Sequence, residues 1–310
     1  MANLNTTTSA GLTPGMQTYY NRKLLCGFEP ELVHLQFADE HIMPPNSGAV
    51  MNMRKLVPLE AKTEALAEGN PGEGVLLSET QVNVELKQYG EYAECTDKLD
   101  LMHVDAQISK KVELFANGGA RSIDTIVREE LATCPNVLYA GGKTERGALT
   151  PADKLTSKEL RKAVRMLKKA NAQTFNGDYI AILGPDTLYD LQDDEAFMNV
   201  SCYQNKEAIF SGEIGRLYGC RIVVTPQAKV FEGAGAEGCD VASVIVLGKY
   251  AYGVTSLKGA KPRVIVKPAG SAGTADPLDQ VSTVGWKLDG FGVKLLQPEY
   301  AVRIECGFSA

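Results

Sequence analysis

The chain has 310 residues, with 32 Lys and Arg against 38 Asp and Glu and a formal charge of −6, a length that allows one large or two ordinary domains. Its 44% hydrophobic and 23% charged residues are those of a folded protein and exclude wholesale disorder or a fibrous repeat. Three His beside 30 Gly and 7 Cys leave little raw material for acid-base or metal chemistry.

Met1 to Thr8 has neither a basic start nor an apolar core, so it does not read as a secretory signal. No apolar run reaches the roughly 18 residues needed to span a membrane, and a reducing cytoplasm is the expected setting. The cysteines (Cys26, Cys95, Cys134, Cys202, Cys220, Cys239 and Cys306) are scattered and never form a C-x-x-C pair. They read as small buried apolar residues rather than a disulfide framework or zinc site.

Residues 1–15 are small and polar, with Pro14-Gly15 as a turn signal, which predicts an arm rather than part of a core. Two short helical candidates follow: Met16 to Leu25, which groups Tyr19, Tyr20 and Leu24, and Glu29 to Ala38, with Leu32, Leu35 and Phe37. The run breaks at Met43-Pro44-Pro45-Asn46-Ser47-Gly48. These segments are too short to build a core of their own and must lie on something else.

Ala49 to Glu60 and Thr80 to Cys95 read as strands. The second alternates at Val82, Val84 and Leu86, then changes parity near Gln88, as a bulge would produce. Between them Gly69-Asn70-Pro71-Gly72-Glu73-Gly74 predicts a mobile tip. A two-stranded ribbon of that length is not stable alone in water and exposes pairing edges. It needs a neighbour, and no partner strand follows it in sequence.

Asp105 to Thr133 is helical in pattern, with Ile108, Val112, Phe115, Ile123, Ile126 and Val127 at steps of three and four. That predicts a rod of roughly 43 Å, with a bend or close backbone contact at Asn117-Gly118-Gly119 and a stop at Pro135. Thr156-Ser157-Lys158-Glu159 is a capping box opening a second helix to about Asn171. That helix has an apolar stripe of Leu160, Val164 and Leu167, and an outer face of Lys158, Arg161, Lys162, Arg165, Lys168 and Lys169. A strand at Tyr179 to Leu183 precedes a short helix near Thr187 to Gln192. Further strands are expected at Arg221 to Thr225, Ser243 to Leu247, Arg263 to Lys267, Thr283 to Leu288 and Tyr300 to Cys306. This order predicts an α+β fold rather than a regular doubly wound sheet.

The motifs that tempt lack their contexts. Gly233-Ala234-Gly235-Ala236-Glu237-Gly238 matches G-x-G-x-x-G, but β-rich sequence follows where a dinucleotide site needs a helix, so it reads as a strand-strand loop. Gly142-Lys143-Thr144 resembles the end of a phosphate loop, but Val137 stands where that loop needs its first glycine. His34, His41 and His103 have no candidate nucleophile nearby in sequence. Asp193-Asp194-Glu195 reads as a solvated acidic turn, and the basic helix face as solvated or paired to a neighbouring subunit. No catalytic residue, cofactor or metal is expected.

The arm, the unsupported ribbon, the rod helix and the α+β region together resemble the major capsid protein of tailed bacteriophages. That is the Hong Kong ninety-seven type fold, and more narrowly the coat-protein family typified by phage N-four. The matching residues are Leu12-Thr13-Pro14-Gly15-Met16, Thr18-Tyr19-Tyr20, Leu24-Leu25, Lys87-Gln88-Tyr89-Gly90 and Thr96-Asp97-Lys98-Leu99-Asp100-Leu101. Arg161-Lys162-Ala163-Val164-Arg165 and Phe210-Ser211-Gly212-Glu213-Ile214-Gly215-Arg216 continue the match.

The resemblance implies an N-terminal arm over 1–48, an extended β-hairpin loop over 49–95, and a peripheral domain with a long spine helix over 96–150. An axial domain over 151–262 and return strands of the peripheral domain over 263–310 complete the fold. It implies assembly contacts between subunits through the loop tip (Gly69, Asn70, Pro71, Gly72 and Gly74) and the arm (Tyr19, Tyr20 and Leu24). The expected role is a non-enzymatic virion subunit that self-assembles in the host bacterial cytoplasm, as hexamers and pentamers, into an icosahedral shell. The shell encloses double-stranded DNA without sequence-specific binding and without a membrane. Nothing long precedes the arm, so a separate scaffolding protein or none is expected, alongside a portal complex and room for a decoration protein. No crosslinking pair carries over. The competing readings are an encapsulin-like compartment and, more remotely, a nucleotide-binding enzyme.

Overall fold

The computed structural model describes residues 32–56, 76–98, 107–194, 216–258, 261–271 and 276–309, with isolated positions at 59, 61, 63, 74 and 273. Two sheets and three helices organise them. Sheet I holds β1 (Asp39–Met43), β11 (Tyr252–Leu257), β13 (Val281–Leu295), β12 (Arg263–Lys267) and β4 (Lys87–Thr96). Sheet II runs in the order β5 (Val137–Tyr139), β14 (Ala301–Cys306), β10 (Val241–Leu247), β6 (Tyr179–Leu183), β8 (Cys220–Val224), β7 (Arg216–Leu217), with β9 (Val230–Phe231) on β10. A separate antiparallel ribbon pairs β2 (Val50–Leu56) with β3 (Glu79–Glu85).

Helix α1 (Gln107–Leu131) is the rod read from the periodicity, 25 residues and about 37 Å long. Val112, Ala116, Ala120, Ile123, Val127 and Leu131 recur at helical steps and are buried. They join one core with Val264, Val284, Trp286, Leu288 and Phe291 of sheet I and with Ile180, Ile182, Ile245 and Leu247 of sheet II. Of the bend or close backbone contact expected at Asn117-Gly118-Gly119, no close contact forms at Gly118. The helix is continuous there, a Cβ on Gly118 would meet nothing within 4 Å, and Ser122 Oγ donates to the Gly118 carbonyl at 2.8 Å. The intrinsic cost of glycine, about 1 kcal/mol, is overridden by the burial of the turns on either side.

The other face of sheet II, with Tyr179, Ala181, Leu183, Val244, Val246, Val302 and Ile304, is covered by α2 (Ser157–Lys169) and α3 (Pro185–Gln192). α2 supplies Leu160, Ala163, Val164 and Leu167, and α3 supplies Leu191. Burial on both faces explains why β6 reads Tyr-Ile-Ala-Ile-Leu without alternation. The capping box forms differently from its sequence signature. Thr156 Oγ1 donates to the Glu159 carboxylate, and the cap comes from Asp194, whose Oδ2 accepts the Ser157 N–H at 2.7 Å. Part of the supposed solvated acidic turn therefore satisfies a helix N-terminus, where a carboxylate also meets the favourable end of the macrodipole.

The ribbon expected over 49–95 is two structures. β3 ends at Glu85 and pairs with β2, whereas β4 starts at Lys87 and runs antiparallel to β13 from Thr96↔Val281 to Lys87↔Phe291. The parity change near Gln88 marks a change of partner, and the partner lies far along the same chain. β13 was legible only as Thr283 to Leu288 because glycines interrupt its pattern. Gly290, at φ +68, sits in a register shift between Leu288 and Phe291, the conformation that glycine adopts without cost. Gly285 permits close strand pairing, since a Cβ there would stand 2.6 Å from the Glu91 carbonyl oxygen.

Sheet membership also cuts across the expected segment boundaries. β11, from the 151–262 stretch, joins sheet I, and β14, from the 263–310 stretch, joins sheet II. Residues 39–43, expected as arm, form β1 parallel to β11, and the stretch before them is turn rather than helix. The remaining misses are short (β5, β7, β9) or broken by Gly and Ser (β11).

Candidate assembly surfaces

The described end of the expected arm is fastened to the body by a buried polar node. His34 and Asp124 are both fully buried. The His34 N–H donates to Asp124 Oδ1 at 2.8 Å, and His34 Nδ1 lies 2.6 Å from Asp124 Oδ2. Tyr252 donates its hydroxyl to the His34 carbonyl, and burial, with the Asp124 charge adding to it, pushes that phenol well above its ordinary pKa. Leu32, Val33, Leu35, Phe37 and Ala38 pack on the main core around this node, and Phe37 meets Phe175 edge-on with centroids 5.8 Å apart. The expectation that these residues must lie on something else is met by the chain's own helix and sheets. His41 pairs with Asp39 at 3.1 Å.

The ribbon is anchored at one end. Its cross-strand rows Met51↔Val84 and Met53↔Val82 face inward, and Asn52↔Asn83 and Arg54↔Gln81 face water. At its root Thr255 Oγ1 reaches Met51 Sδ at 3.6 Å, and the backbone of β13 comes so close at Gly292 that a Cβ would stand 2.8 Å from a Val84 methyl. At the far end Leu76 and Leu77 are 94% and 72% exposed. Two adjacent leucines so exposed beside the end of a strand pair are a candidate contact surface.

Of the residues expected to make inter-subunit contacts, Gly74 is described and exposed, with open space around a Cβ. Gly69, Asn70, Pro71 and Gly72 of the tip and Tyr19, Tyr20 and Leu24 of the arm lie outside the described residues, as do His103, Cys26 and Cys202. Leu76 and Leu77 were missed, although their signal, an apolar pair directly after a Gly-rich tip, is plain in the sequence.

A second apolar surface lies on sheet I. An open groove of about 510 Å³ follows β4, β12 and β13, lined by Tyr89, Tyr92, Ile265 and Trp286 between Lys267 and Lys287. Tyr92 projects beside it, 69% exposed.

The remaining polar clusters are structural. Arg146 makes a bidentate pair with buried Glu305 at 2.7 Å per contact, and Arg303 Nε joins at 2.9 Å. The Arg146 guanidinium lies 3.6 Å over the Phe231 ring. Burial pushes the Cys134 thiol up, and pushes Cys220 and Cys306 up to about 12 each, which leaves them inert as nucleophiles. Gly235 of the G-x-G-x-x-G run packs against Leu149 and Cys239 in a loop between β9 and β10. Only a three-residue 3-10 turn, Arg146–Ala148, lies between Gly142-Lys143-Thr144 and α2. Among the described residues no three His, Cys, Asp or Glu side chains converge on a metal position, and no helix is long and apolar enough to cross a membrane.

A family model described as phage capsid protein matches residues 79–304. The chain belongs to the phage capsid protein family. It is a major capsid protein and a virion component, and its structural role is to form the shell.

This capsid protein shares its fold with solved phage capsids at low sequence identity. The capsid of Ralstonia phage GP4 superposes with a TM-score of 0.70 at 12% identity, covering 88% of each chain. The cyanophage Pam1 capsid gives 0.69 at 13%, covering 100% of this chain and 95% of that one. The capsid of cyanophage P-SCSP1u gives 0.67 at 16%, covering 90% and 89%. No curated protein sequence matches significantly. The α+β architecture expected from the sequence is the one these capsids share.

Proposed function

We propose that this capsid protein assembles, as hexamers and pentamers, into the icosahedral shell of a tailed bacteriophage and encloses double-stranded DNA without reading its sequence. Sheet I with α1 serves as the peripheral domain, and sheet II with α2 and α3 as the axial domain. The arm, through Tyr19, Tyr20 and Leu24, and the loop tip, through Gly69, Asn70, Pro71, Gly72 and Gly74, complete their burial on neighbouring copies. The protein catalyses nothing. Assembly takes place in the host bacterial cytoplasm, a portal complex closes one vertex, and the outer surface leaves room for a decoration protein.

The observation that carries the assembly reading is the pair Leu76 and Leu77, exposed at the end of a strand pair whose root is well packed. Burying one such side chain is worth roughly 1.5–3 kcal/mol, so the two contribute about 3–6 kcal/mol per subunit, a term repeated around every ring. A charge of −6 suits a container for DNA, because a strongly basic wall would hold the genome by counterion release and oppose its exit.

The test is electron microscopy of purified particles followed by nuclease treatment and extraction. Closed shells protecting DNA of genome length support the proposal. Shells without DNA that carry a co-purifying enzyme would indicate a cargo compartment instead, and a monomer that binds ATP or NAD at micromolar affinity would overturn both.

A further inference from the structure

Two patches of opposite charge lie around sheet II. α2 exposes Lys158, Arg161, Arg165, Lys168 and Lys169, and β8 adds Arg221. The Arg161 guanidinium lies 5.2 Å over the ring of Tyr218, which joins this helix face to the β7–β8 turn. None of the six cations has an ion-pair partner among the described residues. Lys162, the sixth basic residue of the helix, is the exception and pairs with buried Glu159 at 3.4 Å.

The second patch is acidic. The segment leaving β5 exposes Glu145, and the loop from β9 to β10 exposes Glu232, Glu237 and Asp240. The two are fastened together where the Ala236 N–H donates to the Leu149 carbonyl at 2.8 Å. Lys143 is the exposed cation beside them, and none of the four carboxylates has an ion-pair partner among the described residues.

We infer that the basic α2 face docks on the acidic 145/232–240 patch of a second copy of this chain. The inference rests on the shell-forming role above and names the surfaces that one of its contacts uses. Two different patches that match each other make a heterologous, head-to-tail contact, the kind that closes into a ring when each copy is rotated relative to the last. Matched charge of this kind steers encounter and fixes register. It also accounts for both patches at once, whereas a nucleic acid on α2 would leave the carboxylates without a partner.

The test is charge reversal in the full chain, read by shell yield and by sedimentation of subunits across a salt series. Arg161→Glu, Arg165→Glu and Lys168→Glu together should lower shell yield at least tenfold in 0.15 M salt with unchanged circular dichroism. Glu232→Lys, Glu237→Lys and Asp240→Lys together should do the same. Combining all six should restore assembly, because the pairing is reversed rather than removed. Should wild-type chain form no shells, sedimentation still decides the contact: salt-sensitive association lost in each triple variant and recovered in the sixfold variant supports it. Two outcomes overturn it: an acidic-patch variant that assembles like wild type, or an α2 variant that forms normal shells but fails to retain DNA, which would assign that face to nucleic acid.

Discussion

Asp124→Ala removes the acceptor at the centre of the node that fastens residues 32–38 to α1. Two donors lose their partner, the His34 N–H at 2.8 Å and the imidazole nitrogen at 2.6 Å, and both sit where water does not reach. A buried donor left unsatisfied costs about 1–3 kcal/mol, so the pair predicts a loss of roughly 2–6 kcal/mol. The void left by the carboxylate is small and adds little. Because Tyr252 holds the His34 carbonyl independently, the first effect is local, with residues 32–38 peeling off before the sheets separate. Asp124→Asn retains one acceptor and should lose about half as much. The assay is urea denaturation of the purified subunit, paired with hydrogen exchange at residues 33–38. A loss below about 0.5 kcal/mol for Asp124→Ala, or unchanged exchange in that segment, would refute the reasoning.

The other predictions concern charge, backbone and thiols. Burial works against the charge of Asp190, but the Ser309 hydroxyl and N–H and the Lys154 ammonium outweigh it and hold this carboxyl below its ordinary value. A depressed carboxylate stabilises the fold above its unfolded pKa, about 3.9, and that contribution is lost as pH falls through the lower folded value. Protection of the amide of Ser309 should therefore decline below pH about 4, and Asp190→Asn should remove that pH dependence. Gly285→Ala should cost about 1–3 kcal/mol, because its Cβ meets the Glu91 carbonyl and the Tyr92 Cβ at 2.6 and 2.7 Å. Gly118→Ala, in open space, should stabilise by about 0.5–1 kcal/mol; thermal melts read both, and equal signs would contradict the packing. Cys134, Cys220 and Cys306 should resist alkylation in the folded subunit and react fully in denaturant.

Local periodicity made the helices and the two-sided strands legible, since α1, α2 and β6 each carry their burial pattern within one short window. What stayed hidden depended on partners distant in the chain. The change of parity at Gln88 was visible, but only the pairing of β4 with β13 explains it. The histidine-poor sequence gave no reason to join His34 to Asp124, ninety positions apart in the chain. Asp194 looked like part of a solvated acidic run until it proved to cap α2. For the assembly surfaces, the glycine-rich tip drew attention to a turn, although the two leucines that follow it carry the apolar area. The charges on α2 were readable as a helix face, but the acidic patch that matches them is assembled from two loops, and no single stretch of sequence displays it.

The central claim is that the subunit completes its burial on neighbouring copies. Electron cryomicroscopy of the assembled particle at side-chain resolution tests it most directly, at Leu76 and Leu77. The account predicts that both leave solvent and pack against apolar atoms of an adjacent subunit. Shells in which these two side chains remain in water, or fold back on their own subunit, would contradict it.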